Sequence, residues 1–214
     1  MTAIKRLLFV TASLFVVCGF AAAAAEAREP PNWKINGAFL GAEVTKNVGL
    51  MSTTAIEFKV PLAGVVATCK KSYGSGTVVG ATEGATPGTG TVTNLVFEEC
   101  STAVPKCALS KVNAIDFIYP TVLARTNEAV RKVVDRIRGV RITLEYEGAE
   151  CEYKGLQEVV GTTAGAVNNA AEALEFKFPP LEGSNLKFFG ETLGIGLVGS
   201  YKLKSPEFLT IGAE

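Results

Sequence analysis

Few residues in this chain could carry chemistry. Histidine is absent, and aspartate occurs only at Asp116 and Asp135. Histidine is the usual general base at neutral pH and the commonest metal ligand. Its absence excludes Ser-His-Asp and Cys-His catalysis, and with them the histidine-containing zinc and iron sites. Scarce aspartate argues against calcium loops, which cluster several Asp and Asn ligands. Paired carboxylates could cleave a glycosidic bond. Glu145 and Glu147 share a strand face, and Glu150 and Glu152 follow. No cleft-forming aromatic cluster accompanies them, and Trp33 is the only tryptophan. They read as a solvated charged face, with a Glu-dependent polysaccharide hydrolase as the alternative.

Two short motifs fail on context. Gly194-Ile195-Gly196-Leu197-Val198-Gly199 matches G-x-G-x-x-G but sits in a strand near the C-terminus. A dinucleotide site needs a helix after it and an acidic residue about twenty positions on. Ser184 and Lys187 have the S-x-x-K spacing but lead into a strand rather than a helix. Neither supports a cofactor, and none is expected. Tyrosine offers a binding chemistry instead, since an exposed ring can stack on a ligand face. Tyr73, beside Lys70, Lys71 and Ser72, reads as the tip of a glycine-rich loop, and Tyr153 is its counterpart in a later segment. These two tyrosines are the candidate binding residues, with cell-wall material or another envelope component as the partner.

Residues 1–27 read as an export signal. Lys5 and Arg6 precede an apolar core from Leu7 to Phe20, and Ala25-Glu26-Ala27 fits an A-x-A cleavage pattern. The mature chain is then expected to begin at Arg28 and to form one β-rich domain over 28–214. No second apolar run of bilayer-spanning length follows, so no transmembrane segment is expected there. The whole chain has 21 basic and 21 acidic residues. This balance provides no basic field for nucleic acid. Removing the segment also removes Cys18 and leaves Cys69, Cys100, Cys107 and Cys151. An even number of cysteines in an exported chain favours two disulfides. Their spacing lacks the paired C-x2-C of a structural zinc site, so no metal is expected.

The elements that must position these residues are mostly strands. Asn32 to Leu40 predicts a strand with a turn or bulge at Asn36-Gly37. Thr54 to Leu62, Thr91 to Glu98, Val140 to Tyr146 and Leu174 to Phe178 alternate apolar and polar residues. Val65–Cys69 and Gly76–Gly80 suggest a hairpin turning at Lys70–Ser75. Ala114 to Leu123, interrupted by Pro120, suggests an edge strand. Leu186–Thr192 and Leu193–Lys204 close the chain. Thr126 to Arg138 has Ala129, Val130, Val133, Val134 and Ile137 at helical spacing, with a hairpin as its rival. The fold class is therefore all-β, an antiparallel sandwich or barrel of about ten short strands with one short helix.

An internal repeat adds a symmetry argument. Val78-Val79-Gly80-Ala81-Thr82-Glu83-Gly84-Ala85 aligns with Val159-Val160-Gly161-Thr162-Thr163-Ala164-Gly165-Ala166, and Cys69 with Cys151. Two pseudo-symmetric meanders would bring equivalent positions together near their axis. This favours Cys69–Cys151 and Cys100–Cys107 among the three pairings that four cysteines allow.

The strand order, the cysteine pattern and the closing phrase Leu186-Lys187-Phe188-Phe189-Gly190 resemble a diffuse set of exported bacterial proteins with no assigned function. The resemblance runs over most of the mature chain. It implies a β fold and export and carries no catalytic residues. The expectation is an exported, non-enzymatic β-protein with a structural or binding role at the cell envelope or outside the cell. A second alternative to the hydrolase is a carrier of a small apolar ligand, which would require a cavity inside the barrel.

Overall fold

The computed structural model describes residues 30–61, 64–82, 85–125, 133–169, 174–178, 185–188, 193–205 and 209–212. The 1–27 segment lies outside them, and so do Thr126–Lys132 of the expected helix and Ser184. All regular structure among the described residues is β. The chain begins with β1 (Asn32–Ile35) and β2 (Ala38–Phe39), joined by Asn36 and Gly37 at φ 50° and 84°. Two successive positive φ values are what a two-residue hairpin turn requires, so the Asn-Gly signal is borne out.

There follow β3 (Thr45–Ser52), β4 (Ile56–Val60), β5 (Gly64–Val79), β6 (Thr89–Ser101), β7 (Ala108–Ala114) and β8 (Tyr119–Arg125). Next come β9 (Val133–Glu147), β10 (Gly155–Asn169), β11 (Leu174–Phe178), β12 (Lys187–Phe188), β13 (Leu193–Gly194), β14 (Gly196–Lys204) and β15 (Leu209–Gly212).

Antiparallel pairings run β3–β5–β6–β8–β9–β10–β11–β14 and return to β3. The sheet is thus a closed ring of eight strands, and the choice between sandwich and barrel falls to a barrel. Closure leaves these strands no free edge. The long strands β5, β6, β9 and β10 extend below the ring. There β4 takes the place of β3 beside β5, β7 takes the place of β8 beside β9, and β12 pairs with β10. This lower end is filled by Ile56, Phe58, Val66, Leu144, Tyr146 and Phe188, all at most 1% exposed. Tyr146 donates its hydroxyl to the Val66 carbonyl across that core, at 2.9 Å. The upper end is capped by a three-stranded sheet, β15–β1–β2, made from the two ends of the described chain.

Side chains hold this cap to the barrel. The indole of Trp33 donates to the Thr89 carbonyl at 2.7 Å. The Asn32 amide bonds both ways with the backbone of Ala81, and the Asn169 amide does the same with Ile211.

Three expectations need correction. Val133 to Arg138 is strand, not helix. The same Val-rich run also satisfies period two, with Val133, Asp135 and Ile137 on one face, and β8 and β10 supply partners on both sides. The segment Ala114–Leu123 is no edge: β8 lies between β6 and β9, and its Pro120 is exposed. Finally, Lys70–Ser75 is not a turn, because β5 runs straight through it for 16 residues. Its glycines serve close approach: a Cβ on Gly74 would stand 2.2 Å from the Asn94 carbonyl oxygen, and one on Gly76 2.1 Å from that of Thr91. The turn signal was thus a packing signal between β5 and β6.

The two repeat segments also occupy different places. Val78-Val79 ends β5, whereas Val159-Val160 lies within β10, between β9 and β12. Cys69 lies within β5, while Cys151 lies between β9 and β10.

Candidate functional site

The four cysteines form two disulfides, Cys69–Cys100 and Cys107–Cys151. The expected Cys69–Cys151 and Cys100–Cys107 pairs are therefore wrong. The physical reason is register. Cys69 and Cys100 are direct cross-strand partners on β5 and β6, so the bridge needs no axis of symmetry. Cys107 precedes β7 and is tied to the β9–β10 connection, where Lys106 also pairs with Glu150. The cysteines are a staple rather than a reactive site.

Just above the first bridge the in–out alternation of β5 and β6 changes phase. Cys69 is buried, Lys70 and Lys71 are both exposed, and Ser72 is buried again. Opposite them Glu98 and Glu99 are both exposed, with Glu99 at φ 52°. A left-handed residue lets a strand present two consecutive side chains to one face. The result is an outward cluster. Lys71 pairs with Glu99, Lys70 stands 3.7 Å from the same carboxylate, and the Tyr73 hydroxyl donates to Glu98 at 2.8 Å. The bond to Lys71 holds the Glu99 carboxyl below its ordinary range, and the bond to Glu98 raises the Tyr73 phenol.

This cluster borders a surface groove of about 570 Å³. It opens where β3 stops pairing with β5 at Met51–Tyr73 and β4 begins at Ile56–Cys69. The connecting Thr53-Thr54-Ala55 is exposed and lines the groove, and the Ser72 amide donates to the Ser52 hydroxyl beside it. Met51 and Tyr73, each 43% exposed, form the apolar part of its rim, and Lys70, Lys71 and Lys204 the basic part. Tyr73 is thus exposed as expected, but on a strand rather than a loop tip. Tyr153 is not: it is 8% exposed and packs between Tyr146 and Phe188, with ring centroids 6.0 and 5.7 Å away. The structure makes it a core residue and does not bring it to Tyr73. Glu145, Glu147, Glu150 and Glu152 are all exposed.

A second site lies inside the ring. A cavity of about 70 Å³ is lined almost wholly by apolar groups, among them Val48, Val78, Val92, Ile142 and Leu203. Asp135 also lines it and is 6% exposed. The Thr121 hydroxyl and the Val122 amide bond to this carboxyl, while its Oδ1 has no hydrogen-bond partner. Burial outweighs those two bonds and pushes Asp135 up to about 7. On the expected helix over Thr126 to Arg138, Asp135 would fall on the charged face with Arg136 and Arg138. The available clue was its place in the alternation Val133-x-Asp135-x-Ile137, with Arg136 and Arg138 opposite.

A stability slope follows. The folded pKa of about 7 lies above the ordinary 3.8, so the folded state retains a proton that the unfolded chain releases. Its stabilising contribution is full below about pH 4 and is lost as pH rises through about 7. The expected fall is on the order of 4 kcal/mol, read by urea unfolding at a series of pH values. Asp135→Asn should flatten that slope. An unchanged slope in the variant would place its origin elsewhere.

Comparison with protein-family models, curated proteins and solved structures finds no match. Among the described residues no group of three or more His, Cys, Asp or Glu is placed to hold a metal, and no helix is long and apolar enough to cross a membrane.

Proposed function

We propose that this chain is an exported, non-enzymatic binding protein of the cell envelope or exterior, and that its contact surface is the groove beside Tyr73. The groove carries the reading. It places an exposed aromatic ring and Met51 beside three lysines, on a wall stiffened by the Cys69–Cys100 bridge one turn of alternation away. A ring stacked against a sugar face, with ammonium groups reaching its acidic substituents, is the chemistry such a rim offers. Anionic cell-wall polysaccharide is the partner class that fits. Export is supported by the charged start, apolar core and A-x-A ending of residues 1–27 and by two disulfides, which persist in oxidising compartments.

The test is retention of the purified, disulfide-bonded protein on cell-wall polysaccharide. Tyr73→Ala should weaken retention about tenfold, a loss of the size stacking contacts carry. Tyr73→Phe, which keeps the ring and loses the Glu98 bond, should retain most of it. Equal retention by wild type and Tyr73→Ala would remove the groove from the function.

A further inference from the structure

The cavity within the eight-stranded ring is distinct from the Tyr73 groove, although Leu50 lines both. An eight-stranded barrel is just wide enough for its side chains to fill it or for one small ligand to enter. Here the filling is incomplete. The space of about 70 Å³ accommodates about five water-sized groups. Water gains little from the apolar part of its wall. The polar feature that stands out is Asp135, which lines the space and whose buried Oδ1 has no donor. Buried acceptors in folded proteins are nearly always satisfied, so an orphan on a residue of the cavity wall points to a donor that the cavity can admit.

The surroundings select the type of donor. Among the described residues Tyr119 and Tyr201 are the other titratable groups lining the cavity. The Tyr119 hydroxyl lies between the carbonyls of Ile115 and Arg141, and that of Tyr201 donates to Ser72. Both are engaged elsewhere. Among the described residues lysine, arginine and glutamate do not line the cavity, and the influences on the Asp135 carboxyl are burial and the bonds from Thr121 and Val122. A carboxyl buried with no countercharge calls for a cation with its own apolar body. Thr121 and Thr163, opposite Ile137 on β8 and β10, give the same layer two hydroxyls.

We propose that the barrel interior is a binding site for a short aliphatic amine, its ammonium on Oδ1 of Asp135 and its alkyl chain against the apolar wall. Trp33 closes the cavity on the cap side, where its indole is pinned to Thr89. Entry is therefore expected where β1 meets the barrel.

Propylamine, propanol and propionate are suitable probes, titrated against the disulfide-bonded protein while the methyl resonances of Val48, Val78, Val92 and Leu203 are followed by NMR. Propylamine should give saturable shifts at millimolar concentration. Propanol should bind at least about tenfold more weakly, and propionate should not bind. Affinity for the amine should rise as pH increases through about 7, because the carboxylate is the binding form and the amine stays protonated to about pH 10. Asp135→Asn and Asp135→Leu should each lose about tenfold or more in affinity. Xenon, which needs only a dry cavity, should still shift the same methyls in both variants and so report an intact fold. Absence of saturable amine shifts at these methyls, equal amine affinity in Asp135→Asn, or propanol binding as well as propylamine would each overturn the proposal. None of these results would alter retention on polysaccharide, which tests the groove alone.

Discussion

Reduction of both disulfides is expected to lower the melting temperature by about 15–30 °C, enough to unfold much of the protein at physiological temperature. The bridges Cys69–Cys100 and Cys107–Cys151 span 31 and 44 residues of chain. Closing loops of that length removes about 4 kcal/mol of unfolded-state entropy each in the chain-entropy account. Their sum of about 7–8 kcal/mol is comparable with the whole stability of an ordinary domain. The ladder already formed between β5 and β6 does not lessen the first contribution, because the effect acts on the unfolded chain.

The two bridges should also respond in order. Cys69 is fully buried, whereas Cys107–Cys151 joins two connecting segments at the barrel's lower end. Mild reductant should open Cys107–Cys151 first, with a partial fall in melting temperature, before the larger loss. Non-reducing peptide mapping at each stage, paired with thermal melts, reads both quantities. A Cys69–Cys151 peptide would refute the register on which the barrel rests, and a melting temperature indifferent to reductant would refute the energetics.

The order of the four cysteines along the chain was legible, but their pairing was not. Pairing depends on which residues face each other across β5 and β6, and that register is set by a strand pair that the Lys70–Ser75 segment disguises as a turn. Two local features create the disguise: the change of phase at Lys70 and Glu99, and the glycines at Gly74 and Gly76, which bring backbones together. Both resemble loop chemistry in a one-dimensional reading. Where the local pattern alone decides the outcome, the reading held. Asn36-Gly37 turns, β4 buries Ile56, Phe58 and Val60, and Val140, Ile142, Leu144 and Tyr146 all face the core. The run from Val133 illustrates the opposite case. Its spacing suits a helix and a strand equally, and the choice is made by β8 and β10, one of which lies later in the chain.

The site residues divide in the same way. Tyr73 reads as a candidate because the segment around it reads as a loop tip; it is exposed, but on the straight strand β5. Tyr153 was proposed by analogy with it and lies instead among Tyr146 and Phe188. Asp135 was missed because a single carboxylate amid valines and arginines is ambiguous until the strand's inward face is known. Ring closure puts it inside, and closure is the least local property of the fold.

Replacing Trp33 with alanine should cost about 3–5 kcal/mol and should do so unevenly across the molecule. Trp33 is 1% exposed, lines the interior cavity and pins β1 to the start of β6 through Thr89. Its loss enlarges the cavity and leaves a carbonyl without its donor, and both effects are destabilising. Among the described residues the cap strands β1, β2 and β15 pair only with one another, so beyond the Gly88 amide's bond to the Pro31 carbonyl their hold on the barrel depends on side chains, of which Trp33 is the largest. The amide contacts of Asn32 and Asn169 remain in the variant, but each holds only one backbone segment. Local opening of the cap should therefore become cheaper than global unfolding, as expected of an element with few packed contacts. Native-state hydrogen exchange can separate the two. Amides of β1 and β15 should lose protection first and most, while the paired centres of β9 and β10 keep protection that tracks global stability. By contrast, Phe58→Ala at the lower end should lower protection everywhere together, because that ring packs on Phe97 in the core below the ring. Uniform loss in Trp33→Ala would mean that the cap and barrel are one cooperative unit, and that the interior opens only when the whole protein does.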